Sequence, residues 1–193
     1  MNITEALRIL QAAPANAPGF PVTLACGFTP LHLQTFLGAC LQRAIPDRAV
    51  GIDSGLFGDL AGTLESLAGK PAPAVAIALE WADLDSRLGY RQLGGWGPAD
   101  VARIVAGASK AFERLARAIE RIPAGARVGI SLPTLPLPPA FSTARWQSSG
   151  AELELRYALA AFARQMGMQA NVFVVNQERF AEASPPAGRF DLK

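Results

Sequence analysis

The chain offers three small groups of residues whose types and spacing suit chemistry. The first is Gly51-Ile52-Asp53-Ser54-Gly55-Leu56, a loosened form of the Gly-Asp-Ser-Leu turn that carries a nucleophilic serine. The sole histidine, His32, stands one residue into a helical pattern, behind Thr29-Pro30-Leu31. A Ser54–His32–Asp53 set would do acyl transfer, the serine attacking and the histidine taking its proton; Thr29 supplies a second hydroxyl. The competing role for Asp53 and Ser54 is structural: they cap a helix beginning near Phe57. That role is favoured, because no Asp-x-x-His follows downstream to complete a hydrolase. His32 has the same two readings, a donor or base facing a ligand or a half-exposed first-turn residue. Thr29, just before Pro30, is the expected N-cap of that helix.

The second group is Glu80-Trp81-Ala82-Asp83-Leu84-Asp85-Ser86-Arg87. Asp83-x-Asp85 mimics the Asp-x-Asp-x-Thr motif of haloacid dehalogenase-type phosphatases. Its first aspartate does not directly end a strand, its fifth residue is Arg87, and no later acidic pair follows, so that chemistry is rejected. Glu80, Trp81 and Asp83 keep their interest through position alone. The plain reading of Glu80 is a carboxylate accepting backbone N–H bonds from a loop. The third group, Gly94-Gly95-Trp96-Gly97, is no phosphate cradle, since it lacks a following Lys-Ser/Thr and does not succeed a strand. It reads as a flexible loop, a lid anchored by one tryptophan. No Gly-x-Gly-x-x-Gly follows the first strand and no Cys/His cluster exists, so neither a nicotinamide cofactor nor a structural zinc is expected.

The elements that must position these residues read off the hydrophobic pattern. Helices are expected over residues 3–13, 31–44, 57–68, 98–122 and 151–166. Strands are expected over 22–26, 48–53, 74–80, 127–131 and 171–175, with a long loop at 81–97 and a Pro-rich irregular stretch at 133–148. Ala74-Val75-Ala76-Ile77-Ala78-Leu79 is nearly all apolar, the pattern of a strand covered on both faces. Strict alternation predicts a parallel sheet with right-handed crossovers. Five strands predict an α/β, three-layer, flavodoxin-like domain of order 2-1-3-4-5, in which ligands collect at the switch point between the first and third strands. The run Val22-Thr23-Leu24-Ala25-Cys26-Gly27-Phe28-Thr29 is the first strand and its turn, so the cleft is expected to hold Gly27, Phe28, Thr29, His32, Asp53, Ser54, Glu80, Trp81 and Asp83. Asn176, after the fifth strand, is assigned to the same rim.

Size and composition bound the rest. A chain of 193 residues, half of them apolar and 18% charged, is a globular domain with a real core. A net charge of +2 implies no nucleic acid, and no run is long enough to span a membrane. The N-terminus lacks the basic and apolar regions of a signal peptide. With Cys26 and Cys40 read as buried, reduced thiols, the expectation is a cytoplasmic protein. On the longest helix Arg103, Lys110, Arg114, Arg117 and Arg121 fall within an arc of roughly 60°. The ordinary reading is a solvated face; the functional one is a dock for an acidic partner. After Asn176 there is room for two turns of helix at most, so the chain is expected to be a fragment: one domain over 1–180, then a linker over 181–193.

Several of these stretches resemble one family. Ala25-Cys26-Gly27-Phe28-Thr29-Pro30-Leu31 is similar to the first turn of the N-terminal domain of FkbH-like proteins. Val50-Gly51-Ile52-Asp53-Ser54-Gly55-Leu56-Phe57-Gly58-Asp59-Leu60 is similar to that domain's second strand and loop, and residues 74–84 to its third strand. Arg189-Phe190-Asp191-Leu192-Lys193 resembles the lead into the family's second domain. The resemblance implies an SGNH-hydrolase-like fold, followed in the family by a haloacid dehalogenase-type (HAD-type) domain. In its best-known members that second domain loads a glyceryl unit onto an acyl carrier protein. SGNH hydrolases need Gly-Asp-Ser after the first strand and Asn after the third. Here Gly27-Phe28-Thr29 and Glu80-Trp81-Ala82-Asp83 stand instead, so the resemblance implies a degenerate binding or interaction module. An esterase or acyltransferase using Ser54 or Thr29 with His32, and a structural or dimerisation domain, are the alternatives.

Overall fold

The computed structural model describes residues 1–13, 16–56, 58–89, 95–135, 137 and 147–184. Local signals set the elements. Helix α1 (Ile3–Gln11) starts where the Asn2 side chain accepts the Glu5 N–H at 2.9 Å. Strand β1 (Gly19–Cys26) leads to α2 (Leu31–Ala44), which stops just short of Pro46. Then follow β2 (Ala49–Ser54), α3 (Leu60–Ser66), β3 (Ala74–Ala78) and the short α4 (Trp81–Leu84). Single 3-10 turns at Ser86–Leu88 and Pro98–Asp100 precede α5 (Val101–Glu120). The chain continues through β4 (Arg127–Ser131), α6 (Gly150–Gly167), β5 (Val172–Val174) and α7 (Gln177–Ala183).

All pairings are parallel, and the strand order is β2-β1-β3-β4-β5. The chain is thus an α/β domain with the five-stranded, flavodoxin-like sheet expected from the alternation of elements. In-register partners share a face. Val75, Ile77, Val128, Ile130 and Val172 line one face and form the main core with α3, α4, α5 and α6. Phe112 of α5 and Phe162 of α6 stack there at 5.0 Å between centroids. On the other face, Val22 and Leu24 are buried, α2 packs against β2, and α1 packs against α2. Gly38 of α2 is pressed between Ile52 and Leu10, each 3.2 Å from where a Cβ would stand.

Several expectations are corrected. Helix α2 begins at Pro30 with no side-chain cap, so Thr29 lies outside it. Helix α3 begins three residues later than expected, and Asp59 caps it by accepting the Gly62 N–H at 2.7 Å; Asp53 and Ser54 do not cap. The first part of the 81–97 loop is helical, because Trp81, Leu84 and Leu88 recur at helical spacing and are all buried. Cys40 is exposed, whereas Cys26 is buried; both are free. The β3 face carrying Ala74, Ala76 and Ala78 is only partly covered, since β3 and β4 alternate between buried and half-buried positions. Phe173 of β5, on that same face, is exposed. The second face of β3 is therefore covered less completely than the first. Residues 181–183, assigned to a linker, are the last turn of α7. Gly94, most of 133–148 and the 185–193 tail lie outside the described residues.

Candidate functional site

Strands β1 and β3 are neighbours, but β1 feeds α2 on one face and β3 feeds α4 and α5 on the other. That divergence opens a crevice beyond their carboxyl ends. Two small clefts occupy it. One, of about 280 Å³, is lined by Gly27, Gly58, Asp59, Ala82, Asp83 and Arg114 among others. The other, of about 160 Å³, is lined by Cys26, Phe28, Thr29, Gln34, Ser54 and Leu56 among others.

Asp83 dominates the larger cleft. One turn into α4, its carboxylate accepts the Glu80 N–H at 2.8 Å. It lies directly over Gly27, where a Cβ would run into Asp83 Oδ1. Glycine at position 27 is therefore demanded by close approach of a side chain. Burial, aided by the neighbouring charge of Glu80 and opposed by the Glu80 N–H, pushes the Asp83 carboxyl up to about 6. Burial likewise pushes the Cys26 thiol up, and its Sγ donates to the Phe28 carbonyl at 3.2 Å. A neutral, buried thiol is a poor nucleophile. Across the cleft Arg114 is held by Glu65 through two bonds of 2.7 and 2.8 Å, which hold the Glu65 carboxyl below its ordinary range.

The smaller cleft brings Phe28, Thr29 and Ser54 together, but His32 and Asp53 line neither cleft. Asp53 and Ser54 are consecutive residues of β2, and the pleat sends their side chains to opposite faces. An aspartate facing away from Ser54 is badly placed to orient a histidine for it, and neither cleft brings Ser54, His32 and Asp53 together. His32 is exposed on the first turn of α2.

The remaining residues have structural work. The Glu80 carboxylate accepts from Thr134 N at 3.1 Å, Thr134 Oγ1 at 2.6 Å and Leu135 N at 3.3 Å, tying the ends of β3 and β4 together. This is the loop-accepting role expected for it. Trp81 is buried and donates Nε1 to the Leu135 carbonyl at 3.1 Å, so it belongs to the core and not to the cleft. Asn176 caps α7, accepting the Arg179 N–H at 3.0 Å. Asp85 is clamped by Arg87 at 2.7 Å, which holds its carboxyl low. Trp96 packs against the core and donates to the Arg87 carbonyl at 2.8 Å, the anchor expected of it. The basic stripe of α5 is exposed, with two members engaged: Arg103 by Asp100 and Arg114 by Glu65. Lys110, Arg117 and Arg121 have no ion pair among the described residues. Two residues at the sheet's carboxyl edge have roles that local pattern does not signal. Arg114 carries the pattern of an outer-face charge, though its position toward α3 puts it at the cleft. Thr134, the partner of Glu80, sits in a proline-rich stretch just past β4, where sites collect.

Among the described residues, no three His, Cys, Asp or Glu side chains group as a metal site requires. No helix among them is long and apolar enough to cross a membrane. Fold and crevice define the chain as a doubly wound α/β domain with a switch-point cleft. No protein-family profile matches it, and no curated protein matches it significantly. Its fold is similar to the crystal structure of the N-terminal part of the protein BF1531 from Bacteroides fragilis, described as containing a phosphatase domain and complexed with Mg. The TM-score is 0.64 at 11% identity, covering 99% of this chain and 49% of that one. The chain thus spans about half the length of the structure it matches.

Proposed function

We propose that this domain is a degenerate SGNH-like binding and interaction module, the N-terminal part of an FkbH-like protein. In that reading it serves a HAD-type domain in glyceryl or acyl transfer to an acyl carrier protein. The observation that carries the reading is the build of the switch-point turn. Gly27 lies under the half-buried Asp83 carboxylate, and the described residues present no nucleophile–base pair beside it. In this reading the cleft serves binding rather than cleavage. The fold shared with the N-terminal part of a phosphatase-domain protein, and the half-length coverage of that chain, support a module working beside a second domain. The unpaired cations on α5 suit the acidic surface of a carrier protein.

The test is a calorimetric titration with a phosphopantetheinylated acyl carrier protein at low and high salt. The expected result is micromolar, salt-sensitive binding that weakens about tenfold or more when Lys110 and Arg117 are both changed to Glu. Binding unaffected by that change, or none at low salt, removes the carrier-protein part of the proposal. Hydrolysis of p-nitrophenyl esters that disappears in Ser54→Ala returns the esterase reading, which the shared cleft of Ser54 and Thr29 keeps open.

A further inference from the structure

Helix α6 is apolar on two opposite sides. Leu155, Leu159, Phe162 and Met166 are buried in the core. On the opposite side Leu153 is 57% exposed, Tyr157 76% and Met168, the C-cap, 78%. Single exposed apolar residues need no explanation. These three lie with Ala160, Ala161 and Arg164 in one stripe about 100° wide at helical spacing, facing away from the sheet.

The order of residues along the stripe identifies the cover. Its midpoint falls between Ala160 and Ala161, the two smallest side chains in it. Small residues at a crossing point let two helices approach closely. If a second α6 crosses there in the antiparallel sense, Leu153 meets the partner copy's Met168 position, and Tyr157 meets its Arg164 position. Each large apolar residue thus finds an apolar or cation–π partner. The charges fit the same arrangement. Glu154 flanks the stripe in the N-terminal half and Arg164 lies in the C-terminal half, and neither is in an ion pair among the described residues. Antiparallel crossing brings each Arg164 within reach of the other copy's Glu154. A parallel crossing would set like charges against each other. Such self-complementarity is what a two-fold interface requires. The adjoining groove between α5 and α6, about 360 Å³ and lined by Val105, Tyr157, Ala158 and Ala161 among others, gives the partner's side chains room.

We infer that this chain pairs with a second copy of itself through α6, the helices antiparallel and crossing at Ala160–Ala161. The surface is distinct from the switch-point cleft and from the basic stripe of α5, so the pairing stands whether or not a carrier protein binds. Sedimentation equilibrium over a concentration series tests it, with circular dichroism confirming the fold of each variant. The chain is expected to form a reversible dimer. Ala161→Arg is expected to leave a monomer, and Tyr157→Ala to weaken association about tenfold or more. Glu154→Arg and Arg164→Glu, each weaker alone, are expected to restore dimerisation when combined. A Cys40→Ser chain carrying Ala160→Cys is expected to cross-link to a disulfide dimer under mild oxidation. A chain that stays monomeric at high concentration overturns the inference, and the stripe is then left to another domain, another protein or solvent. So does a dimer indifferent to Ala161→Arg, or a double charge variant no better than its parents.

Discussion

Asp83 is the residue through which the switch point answers to pH. Its folded pKa of about 6 lies above that of the unfolded chain, so the native state takes up the proton first. The contribution of Asp83 to stability is therefore most favourable below about pH 4, falls as pH rises from about 4 to about 6, and stays lowered above that. Replacing Asp83 by Asn keeps an oxygen for the Glu80 N–H and removes the buried charge. The variant is expected to be more stable than the parent by about 1–3 kcal/mol at pH 8, with the difference vanishing near pH 4. Urea unfolding at the two pH values measures it, and an equal effect at both would show that the carboxyl is not the titrating group. The sequence placed Asp83 beside the switch point because it follows the third strand. It did not reveal that the carboxylate folds back over Gly27, because that contact joins residues 27 and 83 through the packing of two strands.

Among the elements, α2 shows how an edge strand is protected. Strand β2 is one of the sheet's two outer strands, and its outward groups are met by glutamines of α2. Gln42 donates to the Arg48 carbonyl at 2.7 Å and accepts the Val50 N–H at 3.1 Å, while Gln34 donates to the Ile52 carbonyl at 2.7 Å. A covered edge cannot template pairing with another chain. Gln42→Leu is expected to cost about 1–3 kcal/mol, because two backbone groups lose their partners while the volume is nearly kept. A chemical denaturation curve gives the number, and a cost near zero would mean that water replaces the glutamine freely. Helix and strand positions were legible because period and punctuation are local. The start of α3 was not: residues near Phe57 carry an apolar pattern, but the cap that decides the boundary is Asp59. The same holds for Thr29, a good cap by type in a place where the helix starts one residue too late for it.

For the whole molecule, stability rests on the packed layer of α5 and α6 against one sheet face. Phe112, stacked on Phe162, is the centre of that layer. Phe112→Ala is expected to cost about 3–5 kcal/mol, a large share of the roughly 5–15 kcal/mol that holds a domain together. Guanidinium unfolding would show it as a shift of midpoint at unchanged slope, and a loss below about 1 kcal/mol would place the core elsewhere. The opposite face is thinner. Helix α2 packs against β2 and α1 against α2, while α7 contributes no buried residue and Phe173 is left exposed. The all-apolar run of β3 promised two covered faces, but alanine is apolar whether or not a helix lies on it. By itself the sequence determined the alternation of strand and helix, hence the parallel sheet, its order and its crevice, because periodicity, turn residues and the handedness of crossovers leave few arrangements open. Only the tertiary structure decided which side chains meet there: Asp53 turned from Ser54, Asp83 laid over Gly27, Trp81 drawn into the core and Arg114 tied to Glu65. Those outcomes depend on pleat, packing and distance between segments far apart in the chain, which no local pattern encodes.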